Sequence, residues 1–180
     1  MTQTTFEKFN ILSGPSGRAV AQPMDTALVE LLYQHVTTER NASAQYFAIS
    51  LWFAERDLSG FSKFFKQESM DEFEHASNFA NYLIARGQTV LLQDLAAPKQ
   101  KWDSIEDVIA DSFQMEADVT TSIHQLYSLA ERSGDTRTTV FLDPVIESQT
   151  KSEDSFAHLL SRVKFANNQP SALLIIDGEF

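Results

Sequence analysis

The sequence predicts an all-α protein, a four-helix bundle whose second and third helices are joined by a long crossover, followed by a short C-terminal helix. Three observations carry that prediction. Four long segments place apolar residues at steps of three and four, the period of a helix with one buried face. Short turn signals separate the first pair and the last pair, while a stretch without period lies between the pairs. Each apolar stripe is also broken near its middle by a polar side chain, which bears on function as well as on fold.

The first helix is expected from about Asp25 to Arg56, with Asp25 or Thr26 as N-cap and a stripe of Leu28, Leu32, Val36, Glu39, Ala42, Tyr46, Ile49 and Phe53. Leu58-Ser59-Gly60 reads as the turn to an antiparallel neighbour. The second helix then runs from about Phe61 to Arg86 and stops at Gly87. Its stripe is Phe61, Phe65, Glu68, Glu72, His75, Phe79 and Leu83. Gln88 to Lys101 contains Pro98 and is too long for a hairpin, which makes it a crossover along the bundle.

Ser104 with Asp107 three residues later resembles a capping box and opens the third helix, which continues to about Arg132. Ile105, Ile109, Ser112, Glu116, Val119, Ile123, Leu126 and Ala130 form its inner face. After Ser133-Gly134-Asp135 the fourth helix covers about Thr138 to Ala166, with Phe141, Val145, Gln149, Phe156, Leu159, Leu160 and Val163 inward and Pro144 near its start. The apolar segment Leu173 to Ile176 is too short to join the bundle and reads as a small terminal helix or a strand-like tail. Residues 1–22, polar with Gly14, Pro15 and Gly17, read as a flexible tail before a single domain at 23–180.

Composition narrows the function classes. The chain of 180 residues has no cysteine, which removes disulfides, thiolate metal sites and cysteine nucleophiles. A net charge of −11 argues against binding nucleic acid, whose phosphates call for clustered lysine and arginine. No apolar run reaches the roughly 20 residues of a membrane span, and the N-terminus lacks a secretory core, so a cytoplasmic location is expected.

The interruptions of the stripes are Glu39, then Glu72 with His75, then Glu116, then Gln149. A buried unpaired carboxylate costs several kcal/mol unless it is protonated, paired or bound to a cation. Glu72-x-x-His75 sets both side chains on one face, one turn apart. Carboxylate oxygens with one imidazole suit iron and similar divalent ions better than copper or structural zinc. His35, His124 and His158 stand apart in sequence and read as structural.

From about Leu31 to Phe180 the chain resembles the non-haem ferritins, in particular bacterial and cyanobacterial ones. Glu39-Arg40-Asn41-Ala42-Ser43-Ala44-Gln45-Tyr46 is similar to the family's first-helix E-x6-Y. Asp71-Glu72-Phe73-Glu74-His75 is similar to E-E-x-x-H with Asp in the first place. Gln114-Met115-Glu116 and Glu147-Ser148-Gln149 resemble the ligand segments of the third and fourth helices, and Leu173 to Phe180 the family's C-terminal helix.

The resemblance implies a ferritin-like fold, a homo-oligomeric cage of twenty-four subunits, and ferroxidase activity on Fe(II) with dioxygen or peroxide, the ferric product being stored as mineral. It further implies that Glu39, Glu72 and His75 hold one iron, with Glu72 bridging to a second held by Glu116 near Gln149. Tyr46 is the candidate redox or hydrogen-bonding residue. Glu68, Asp71, Asp143 and Glu147 are candidates for moving iron, by entry past Asp143 and transfer through the others. Thr150, Lys151 and Ser152 stand where bacterial ferritins often carry further glutamates, so a third iron site is not implied, and no haem is expected. A rubrerythrin-like or other diiron oxidoreductase is the alternative, but it predicts a second Glu-x-x-His, which the fourth helix lacks. A metal-free bundle would leave Glu39, Glu72 and Glu116 unexplained, and a twelve-subunit miniferritin would lack the C-terminal segment.

Overall fold

Five helices make up the computed structural model, which describes residues 11–180: α1 (Thr26–Ala54), α2 (Ser59–Ala85), α3 (Ile105–Arg132), α4 (Thr136–Ala166) and α5 (Pro170–Asp177). Their starts follow local chemistry. The Asp25 carboxylate accepts from the amides of Ala27 and Leu28, and Ser104 Oγ accepts from Asp107 N while donating to Asp107 Oδ2. Asp135 caps α4 through Thr138 N, which starts that helix at Thr136 rather than Thr138.

The α1–α2 turn falls earlier than expected. It occupies residues 55–58, with Asp57 at φ 58°, and Ser59 and Gly60 already belong to α2. Gly60 serves packing rather than turning, because a Cβ there would stand 1.7 Å from the carbonyl oxygen of Asp177. At this contact α5 folds back on the bundle. Asp177 Oδ1 accepts from Phe61 N at 2.8 Å, which satisfies a donor that the first turn of α2 leaves open. Phe180 packs on Phe61 and Phe64, and Arg162 holds Glu179 through two hydrogen bonds of 2.5 Å.

Gly60→Ala should therefore push α5 off the bundle. Overpacking of this kind costs about 1–3 kcal/mol, a fall in melting temperature of roughly 2–12 °C. Hydrogen exchange should show residues 170–180 and the Phe61 amide losing protection together; unchanged protection would sink this account of Gly60.

The helices pack as two antiparallel hairpins, α1 with α2 and α3 with α4, joined along the α1–α3 seam. The crossover, residues 86–104, runs parallel to α1 and is pinned to its outer face. Thr89 O accepts from Tyr33, Gln93 O from Arg40, and Lys99 exchanges two hydrogen bonds of 2.8 Å with Gln45. Trp102 then meets Trp52 edge to face. The crossover thus delivers α3 to the end of the bundle where α1 finishes, so α3 runs antiparallel to α1.

Part of the expected tail is structured. Residues 1–10 lie outside the described residues, but Leu12 to Val20 form a tight turn closed by a Ser13–Ala19 bridge and docked on the end of α2. Ser16 donates from both its amide and its hydroxyl to Gly87 O, and Arg18 reaches Ile84 O. Residues 12–20 of the expected tail are thus hydrogen-bonded to one another and to the end of α2. Gly87, at φ 78°, also leaves no room for a side chain against Val20.

The core is divided. One apolar cluster surrounds Tyr46, Phe53, Phe61, Phe65 and Phe156; the other surrounds Leu28, Leu32, Phe79, Leu83 and Leu142. Between them lies a buried polar layer of His35, Glu39, Glu72, Glu116 and Gln149. Among the described residues no helix is long and apolar enough to cross a membrane.

Candidate metal centre

Each bundle helix contributes to this layer, His35 and Glu39 from α1, Glu72 from α2, Glu116 from α3 and Gln149 from α4, because each inward stripe continues through a polar residue at this depth. Glu39 is 1% exposed, Glu72 5% and Glu116 1%. One ligand atom each of Glu39, Glu72 and His75 lies within 4.8 Å of the others. His75 Nδ1 is 3.0 Å from Glu72 Oε2, as the i, i+3 spacing requires. Glu116 is held from two sides. The Tyr46 hydroxyl donates to its Oε1, and Gln149 Nε2 donates to its Oε2 at 2.8 Å and to its backbone oxygen at 3.1 Å.

The buried carboxylates of the layer repel one another, a repulsion that a bound cation would offset. Burial pushes Glu72 upward, and the charges of Glu39 and Glu116 add to this against the hydrogen bond from His75. That same hydrogen bond raises His75 to about 9. Burial also raises Glu116, against the donors Tyr46 and Gln149. For Glu39, burial is outweighed by the contact with His35, and its carboxyl lies below the ordinary value. Burial and the neighbouring Glu116 carboxylate lift the Tyr46 phenol well above 10, so it stays a donor.

The donor set fits a divalent ion. Among the described residues no lysine or arginine pairs with these carboxylates, and Glu39 Oε2 is buried without a hydrogen-bond partner. Orphaned oxygens are uncommon in folded proteins, and bound cations are a usual reason for them.

Two cavities meet beside the layer, between α2 and α4. One, of about 590 Å³, is walled by Phe79, Tyr82 and Phe141 and reaches Glu39, His75 and Gln149. The other, of about 380 Å³, is acidic and lined by Glu68, Asp71, Glu72 and Glu74 with Ser148 and Ser152. There burial, with Glu116 and Asp71 nearby, brings Glu68 to about 7.

Glu39, Glu72, His75, Glu116, Gln149 and Tyr46 are thus brought together, and Glu68 and Asp71 stand beside them. Asp143 and Glu147 are not. Both are exposed and line neither cavity; Asp143 accepts from Tyr127, and Glu147 pairs with Lys151 at 2.7 Å. His124 and His158 are exposed, but His35 is no bystander. It is fully buried, with Nε2 2.8 Å from Glu39 Oε1. Its position one turn before Glu39 was the available signal in the sequence.

Comparison with known proteins places the chain among relatives. The family model described as a ferritin-like domain matches residues 29–166. A ferritin of Pacifastacus leniusculus is 30% identical over 154 residues, covering 83% of this chain and 85% of its own. The open pore ferritin of the hyperthermophilic archaeon Archaeoglobus fulgidus superposes with a TM-score of 0.85 at 26% identity, over 87% of this chain and 96% of that one. A variant of PmFTN soaked in iron does so at 0.82 and 30%, over 85% and 98%.

Proposed function

Because the chain belongs to the ferritin-like family, and within it to the non-haem ferritins, we propose that it is a ferroxidase subunit of a cytoplasmic iron-storage cage. The observation that carries this reading is the convergence of buried Glu39 and Glu72 with half-buried His75, beside buried Glu116, with Glu39 Oε2 left unpartnered.

Iron is the substrate and the cargo. Glu39, Glu72 and His75 hold one Fe(II), and Glu72 is shared with a second, which Glu116 binds beside Gln149. Each Fe(II) gives up one electron, and dioxygen or peroxide takes the two. Three carboxylates match the charge of the ferric product better than that of Fe(II), which favours oxidation. Tyr46 and Gln149 fix Glu116 by hydrogen bonds to its two oxygens, and Tyr46 stands close enough to the layer to supply an electron. The acidic cavity holds Glu68 and Asp71 as weak oxygen ligands through which iron passes; Asp143, exposed on α4 and outside both cavities, is the proposed point of entry.

Exposed apolar residues near the C-terminus support contact between copies of the chain, as the proposed homo-oligomer of twenty-four subunits requires. Phe165 is 93% exposed, and Leu174 and Ile175 stand out beside it, a cost that contact with further copies removes. Size-exclusion chromatography should find about half a megadalton, twenty-four times the 20.3 kDa chain.

Glu68→Ala tests the transit role. It should slow aerobic Fe(II) oxidation roughly 3- to 10-fold in stopped flow, while anaerobic Co(II) affinity at the centre stays within about twofold, since one weak ligand contributes on the order of 1 kcal/mol. Unchanged oxidation rates would exclude it.

A further inference from the structure

One buried titratable group plays no part in the chemistry above. His35 is fully enclosed on α1, one turn before Glu39, with its ring edge to face on Phe79 at 4.3 Å. Its Nδ1 is 2.8 Å from Ser122 Oγ on α3, and its Nε2 is 2.8 Å from Glu39 Oε1. Facing a carboxylate oxygen, Nε2 carries a hydrogen, and in the neutral ring Nδ1 then accepts from the Ser122 hydroxyl. The Nε2–Oε1 approach is a short polar contact between the ring N–H and the carboxylate, without the alignment of a good hydrogen bond.

The consequence is an asymmetry in Glu39. One carboxylate oxygen faces His35, and the other, Oε2, has no partner. We infer that Ser122, His35 and Glu39 form a positioning relay from α3 into α1, which fixes the Glu39 carboxylate so that Oε2 is presented to a divalent cation.

Three facts argue for this over simple filling of the core. A phenylalanine or leucine would fill the space beside Phe79 without needing Ser122. Both ring nitrogens sit opposite polar partners, a match that burial alone does not produce. And the far end of the relay is anchored on a different helix, so the carboxylate is oriented by tertiary structure as well as by its own rotamer. Outer groups that orient ligands in this way change metal affinity by about 10- to 100-fold.

The inference rests on the metal-centre reading, and the experiment separates the two. Anaerobic Co(II) binding is followed by calorimetry and by the visible Co(II) spectrum in the full-length protein and in His35→Leu, His35→Gln and Ser122→Ala. Glu72→Ala serves as a control for the centre itself. Wild type binding Co(II) with Glu72→Ala not binding upholds the centre; no specific binding by wild type overturns both proposals.

Given a working centre, His35→Leu should bind Co(II) about 10- to 100-fold more weakly with an altered Co(II) spectrum. His35→Gln, which keeps a donor toward Glu39, should recover to within about threefold, the range of a single neutral hydrogen bond. Folded His35→Leu with wild-type affinity and spectrum would overturn the relay, as would His35→Gln no better than His35→Leu. If His35→Leu does not fold, Ser122→Ala decides: a loss of about 2- to 10-fold with intact fold supports the relay, and no loss overturns it.

Discussion

Glu72→Ala is expected to lower the rate of rapid aerobic Fe(II) oxidation by at least about 100-fold, beyond the 10- to 100-fold that loss of a merely supporting group costs. In the proposed centre Glu72 is the carboxylate shared by both metal positions; it is packed against His75 and charge-coupled to Glu39 and Glu116. The apo-protein should not suffer in proportion. Removing one of three converging carboxylates relieves repulsion that only a cation otherwise offsets, and this opposes the cost of the small cavity left behind. Its melting temperature should stay within a few degrees of wild type. Such a site is maintained against stability and for chemistry. Wild-type oxidation kinetics in a folded Glu72→Ala protein would take Glu72 out of the centre.

The second large effect concerns the bundle alone. Arg86, at the end of α2, donates to both oxygens of Asp135 at 2.9 and 2.7 Å and also reaches Tyr82 and Thr138. The two charged side chains are 6% and 10% exposed. Removing one partner leaves the other charge buried, so Asp135→Ala should cost about 3–5 kcal/mol, roughly 6–20 °C in melting temperature. Burial alone would raise the Asp135 carboxyl, but the Arg86 guanidinium and Thr138 amide hold it below its ordinary value of 3.8. The stabilisation is therefore complete above about pH 4 and is lost as pH falls through the lower folded value. The gap in melting temperature between wild type and Asp135→Ala should close on acidification in that range. A gap below 2 °C at neutral pH would refute the assignment.

The helices were legible in the sequence because their signals are local. Asp25 and Ser104 are caps read from their own neighbours, and the positions of Glu39, Glu72, His75, Glu116 and Gln149 follow from the period of each stripe. What stayed hidden depends on distant chain segments. Gly60 looks like a turn residue until α5 is seen against it, 117 positions later. His35 looks isolated until Ser122, 87 residues away, is placed at its other nitrogen. Residues 12–20 read as a tail because polar, glycine-containing sequence gives no sign of the Gly87 carbonyl that receives them. For Asp143 and Glu147, helical spacing placed both on α4 but could not say that they face away from both cavities.

In the proposed function the buried layer binds and oxidises two Fe(II) per subunit. Aerobic titration with Fe(II), read by ferric absorbance in stopped flow, tests it most directly. A fast phase that saturates at two Fe(II) per chain, followed by slower growth of mineral, is the predicted result. Oxidation with no saturable fast phase, at the rate of iron in buffer alone, would contradict it.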